Sequence, residues 1–111
     1  MINQNGFTKV CKVSDLNEKE GKRFFINDED AAVFKVDGKI YATTNICPHQ
    51  QSAIIYDGFI EDCKIVCPAH GWEFDLETGR MPSGGSKLRT FETKIINEYL
   101  YVKAERKKLN W

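Results

Sequence analysis

The sequence predicts an all-β domain, and three observations carry that prediction. No segment of ten or more residues repeats its apolar positions at the 3.6-residue period of a helix. Short runs of strand-forming residues recur along the chain instead, each closed by a polar or glycine-containing turn. Asp37-Gly38 stands between two alternating runs. A two-residue Asp-Gly loop in that setting is the strongest short-range hairpin signal, because glycine takes the positive φ the turn requires.

The elements follow in order. Residues 7–13 are rich in strand formers and predict a first strand, turned away by Ser14-Asp15-Leu16; residues 17–21 are a polar connection. Residues 22–27 predict a second strand, with Phe24 and Ile26 on one face and Phe25 on the other. Residues 31–36 and 39–43 form the Asp-Gly hairpin, with Phe34, Val36, Ile40 and Ala42 expected to supply an apolar face. Tyr56-Asp57-Gly58 reads as a turn, residues 59–60 and 64–66 as short strands, and residues 72–76 as a further strand turned by residues 77–80. Residues 82–86 are an irregular loop. Residues 91–96 and 99–103 close the domain as a hairpin around Asn97-Glu98, Leu100 and Val102 sharing one face, Tyr99 and Tyr101 the other. The basic tail from residue 104 is expected to fray.

At 111 residues the chain is expected to be one domain, residues 1–111, which buries roughly 60–70% of its unfolded surface around one core. Sixteen basic residues balance sixteen acidic ones, so no global charge argues for nucleic acid or an anionic membrane. The charge is unevenly spread: residues 57–77 carry six acids against Lys64, and residues 78–111 carry eight bases against three acids. No apolar run reaches the length of a membrane span, and the first residues lack a signal pattern, so a cytoplasmic location is expected.

The only two histidines lie beside two of the four cysteines. Cys47-Pro48-His49 is followed, after seventeen residues, by Cys67-Pro68-Ala69-His70. Two thiols and two imidazoles in two short loops can converge on one metal centre. Zinc takes such a set in tetrahedral structural sites, but one residue between Cys47 and His49 makes it awkward for both to grip a single small ion. The spacing suits a larger object, with Cys47 on one iron and His49 on its neighbour, repeated by Cys67 and His70. Both cysteines precede proline, which holds them extended. Cys11 and Cys63 are left over and read as plain thiols in a reducing compartment.

The string Cys67-Pro68-Ala69-His70-Gly71-Trp72-Glu73-Phe74-Asp75-Leu76-Glu77-Thr78-Gly79 resembles the C-P-x-H-G-W-x-F-D-x-x-T-G segment of Rieske-type [2Fe–2S] ferredoxins and related oxygenase domains. The resemblance implies the Rieske fold, an antiparallel β-sandwich with a small cluster-binding subdomain inserted at about residues 44–76. It implies one [2Fe–2S] cluster per chain, bound by Cys47, His49, Cys67 and His70, with the histidines on one iron. It also places a third loop over the cluster at residues 82–86, a stretch that by its residues reads nearly as well as a plain surface linker. One departure stands out: a position that is often glycine in such proteins is Gln51, which puts the backbone bonds of that loop in question.

No histidine is left for a mononuclear iron site, so the chain reads as an electron-transfer protein rather than an enzyme. The resemblance implies a soluble low-potential carrier passing single electrons from a flavoprotein reductase to a terminal oxygenase or similar enzyme. The alternative is the small subunit of an assimilatory nitrite reductase; a structural zinc module or redox sensor is a third. High-potential members add an inter-loop disulfide, a serine and a tyrosine; those places are Ser52 with Ala69, Trp72 and Phe74 here. Hydroxyl donors to sulfur stabilise the reduced cluster, so their loss implies a potential near the low end of the range, about −150 mV.

Overall fold

The computed structural model describes residues 3–4, 6–26, 28–48, 51–69, 71–82, 84 and 87–103. Several expectations fall outside these: Asn27, His49, His70, Ser83, Gly85, Ser86 and the tail from residue 104. The strands are β1 (Asn3–Gln4), β2 (Phe7–Lys12), β3 (Gly21–Ile26), β4 (Glu29–Val36), β5 (Lys39–Thr44), β6 (Phe59–Glu61), β7 (Lys64–Val66), β8 (Glu73–Asp75), β9 (Thr90–Ile96) and β10 (Tyr99–Lys103). All pair antiparallel. Seven form one sheet in the order β1-β2-β10-β9-β5-β4-β3, and β6-β7-β8 form a second. Single 3-10 turns at Val13–Asp15 and Ile55–Asp57 are the only helical pieces among the described residues.

Turn chemistry sets the hairpins. Asp37 and Gly38 both have positive φ (52° and 80°), which matches the right-handed twist of the flanking strands. The β6–β7 and β9–β10 hairpins achieve the same pair of positive values at Asp62-Cys63 and Asn97-Glu98, without glycine. The β4–β5 register pairs Val33 with Ala42, Phe34 with Tyr41 and Lys35 with Ile40. That register corrects one sequence expectation. Phe34 and Val36 share a face with Tyr41, whereas Ile40 and Ala42 share the opposite face with Val33, because directly paired residues point the same way.

Two cores result, and β4 serves both. Ala31 and Val33 pack with Leu16, Ile26, Ile40, Ala42, Leu100 and Val102, closing the β2/β10 part of the large sheet over its β3/β4/β5 part. Ala32, Phe34 and Val36, on the other face, pack with Ile55, Ile65, Phe74, Leu76 and Leu88, and with Cys47 and Cys67. The continuous apolar run Ala31-Ala32-Val33-Phe34 follows from this: all four are completely buried. The small sheet is thereby seated on the outer face of the large one. β1 was not expected, since a two-residue polar strand carries no period to detect.

Candidate metal centre

The two cysteine loops are built alike. In the first, the Cys47 N–H donates to the Ser52 carbonyl (2.9 Å) and the Gln51 N–H donates back to the Cys47 carbonyl. In the second, the Cys67 N–H donates to the Trp72 carbonyl (2.8 Å) and the Gly71 N–H donates to the Cys67 carbonyl (2.9 Å). The donors stand at the same offsets from each cysteine. Both loops reverse direction through a positive φ four residues after the cysteine, 56° at Gln51 and 75° at Gly71. The question raised by Gln51 is answered here: the loop keeps its backbone bonds, and a glutamine occupies a left-handed conformation that glycine takes without cost.

These turns point the two sulfurs at each other. Cys47 Sγ and Cys67 Sγ are 3.4 Å apart, and both residues are buried, at 0% and 2% exposure. The separation is well beyond the roughly 2.05 Å of a disulfide. It approaches the ~3.8 Å between two thiolates on one tetrahedral metal with metal–sulfur bonds near 2.3 Å. Ile55, Ile65, Phe74 and Leu88, all completely buried, pack in the same core as the two cysteines. Trp72 lies beside Phe74, with ring centroids 6.4 Å apart. A soft, thiolate-bound centre in a mostly dry shell fits this donor pair. Of the four residues expected to hold a cluster, Cys47 and Cys67 are brought together, and His49 and His70 lie outside the described residues.

The remaining cysteines are free and half-buried. Burial, then the Asp15 carboxylate, pushes the Cys11 thiol up, away from reactivity. Cys63 contacts Tyr41: the bond to that thiol, followed by burial and by the Cys63, Glu77 and Asp75 charges, pushes the phenol up to about 12. Sequence reasoning missed a third group, Asn45. It is completely buried two residues before Cys47 and bonded on every side. A lone amide inside an otherwise strand-forming approach to the cysteine was its only signal.

The loops also differ in charged surroundings. Lys87 and Arg89, the latter paired with Glu29 at 2.9 Å, line a recess of about 410 Å³ beside Ile46 and Pro48 of the first loop. The acids Glu61, Glu73 and Asp75 ride on the small sheet that carries the second.

An all-β domain that buries two facing thiols between matched loops offers a pair of soft ligands to a metal centre. The comparisons with known proteins narrow the class. The family model described as Rieske [2Fe-2S] domain matches residues 6–92, and this chain belongs to that family. The ferredoxin component of the naphthalene 1,2-dioxygenase/salicylate 5-hydroxylase systems of Ralstonia sp. is 33% identical over 106 residues, 94% of this chain and 100% of that protein. A chain of the solved complex of reduced oxygenase and oxidized ferredoxin in carbazole 1,9a-dioxygenase is 30% identical with a TM-score of 0.77, covering 86% of this chain and 99% of that one. A structure assigned as the small subunit of an NADPH nitrite reductase superposes with a TM-score of 0.82 at 21% identity, over 88% and 98% of the two chains. At that identity the likeness speaks for the fold alone. No helix among the described residues is long and apolar enough to cross a membrane.

Proposed function

We propose that this chain is a Rieske-type ferredoxin that takes single electrons from a flavoprotein reductase and delivers them to a terminal oxygenase, with no chemistry on a substrate of its own. The observation that carries the reading is the buried pair of thiols 3.4 Å apart at the meeting of two equivalent loops. The full-length likeness to a dioxygenase ferredoxin component supports the choice of partner. Nucleic acid and membrane have no part in it.

One [2Fe–2S] cluster per chain, when bound, supplies reversible one-electron transfer. Cys47 and Cys67 would give the two thiolates, and His49 and His70 the two imidazoles. Residues 44–76 form the cluster-binding unit within the single domain. Burial of both cysteines keeps water from the sulfurs, and the extended backbone before each proline presents them without a competing N–H. Trp72 and Phe74 bring no hydroxyl to the sulfurs, which keeps the potential near the low end of the Rieske range, about −150 mV.

The test is direct. Purified protein should hold about two irons and two sulfides per chain and give a Rieske-type EPR signal on reduction. Cys67→Ala or His70→Ala should abolish it. A colourless protein with one zinc would overturn the reading, as would a potential above about +100 mV. The small-subunit alternative predicts co-purification with a sirohaem or flavin subunit, which a free carrier would not show.

A further inference from the structure

Asn45 makes four hydrogen bonds, and their partners lie on two separate pieces of chain, β4 and the 3-10 turn at Ile55–Asp57. Its backbone N–H donates to the Asp30 carbonyl of β4 (2.8 Å), and its carbonyl accepts from the Ile55 N–H (3.2 Å). Its side chain repeats the pattern: Nδ2 donates to Asp30 Oδ1 at 3.0 Å, and Oδ1 accepts from the Tyr56 N–H at 2.7 Å. Asp30 is fixed in turn by two bonds from Arg23, at 3.0 and 2.7 Å. Thus one buried side chain ties the chain just before Cys47 to the chain just after the loop, and both to the floor strand.

Among the described residues, no buried amide sits at the matching place before the second loop. The residue two before Cys67 is Ile65, completely buried and paired in the middle of β7 with Ile60 and Phe74. That loop springs from a strand held by sheet bonds on both sides. The first loop leaves from the end of β5, and after the Ile46–Ala53 bridge it returns through a 3-10 turn. Its position relative to the second loop therefore depends on the polar anchor.

We propose that Asn45 is a positioning residue: it sets the distance and angle at which Cys47 meets Cys67, and through them the geometry of the bound cluster. This rests on the reading that the two cysteines are cluster ligands. A buried amide that keeps both its donor and its acceptor occupied is costly to replace, and groups that orient ligands in this way govern metal retention and spectrum.

Three variants test it in the cluster-loaded protein. Asn45→Asp preserves shape but sets one carboxylate against another at Asp30. It should speed iron loss to a ferrous chelator about tenfold or more, shift the EPR g-values, and accelerate hydrogen exchange in a peptide spanning residues 54–58. Combining Asn45→Asp with Asp30→Asn restores an amide–carboxylate pair and should return all three toward wild type. Arg23→Ala, which removes only the exposed end of the chain of bonds, should lower the denaturant midpoint and leave the g-values unmoved. Should Asn45→Asp fail to fold, Asp30→Ala alone carries the test, since the bond to Tyr56 survives in it. Wild-type g-values and iron loss in both Asn45→Asp and Asp30→Ala would overturn the proposal, as would a double variant no better than the single. Wild-type protein without iron would instead overturn the cluster reading itself.

Discussion

The two cysteine loops share one backbone plan and differ in how they are held. Each has the same pair of main-chain bonds around its cysteine and the same positive φ four residues on. The second is anchored by apolar packing: Ile65, Phe74 and Leu76 are buried around it, and Gly71 fills the left-handed position. The first is anchored by polar groups, Asn45 and Asp30, and places Gln51 in that same conformation. One geometry is thus reached by two routes, which teaches that the same backbone plan can be held by apolar or by polar anchors. Local preference is overridden where tertiary contacts suffice.

The largest test of this contrast is the removal of the apolar anchor. Phe74→Ala should cost about 3–5 kcal/mol in denaturant unfolding, the range for a buried aromatic reduced to a methyl. A cost below about 1 kcal/mol would mean that the second loop does not rely on packing.

The left-handed positions give the next effect. A Cβ at Gly71 would meet nothing within 4 Å, so Gly71→Ala is opposed by backbone strain alone. It should destabilise by about 1–2 kcal/mol. Gln51→Gly relieves the same strain in the first loop but frees the unfolded chain, and a net gain of about 0.5 kcal/mol is expected. A loss in Gln51→Gly would mean that the glutamine side chain itself anchors the loop.

Smaller effects separate the loops by pH. On the first-loop side, the Arg23 guanidinium, helped by the Asn45 amide, holds the Asp30 carboxyl below the usual range of about 3.9. Its contribution is present above that value and lost as the pH falls through the lower folded one. The stability gap between wild type and Asp30→Asn should therefore be constant near neutrality and close below about pH 4. On the second-loop side the sign reverses. Tyr41 is raised from about 10 to about 12 by its contact with Cys63, so its contribution is complete below pH 10 and lost between 10 and 12. Absorbance titration should show one tyrosine ionising near pH 12, and Tyr41→Phe should remove that step. A titration with no step near pH 12 would break the assignment.

Much of this was legible in the sequence. Asp37-Gly38 and the alternating run from Tyr99 to Lys103 announced their hairpins, because turn chemistry and a period of two are local properties. Cys47 and Cys67 were legible as a pair because their setting repeats. The face of Ile40 and Ala42 was misread, since both sides of β4 are buried and an apolar run does not reveal which neighbour each residue meets. Asn45 was missed for a related reason: its partners lie 15 and 11 residues away, and nothing local marks a polar residue as satisfied.

That doubly buried strand has a thermal consequence. Ala31 and Val33 belong to one core, Ala32 and Phe34 to the other, so neither core can open without stripping the strand that completes its neighbour. The small sheet with the cysteine loops should then have no melting transition of its own. Calorimetry should give a single endotherm, with the visible absorbance and the far-UV circular dichroism of the loaded protein lost over the same temperatures.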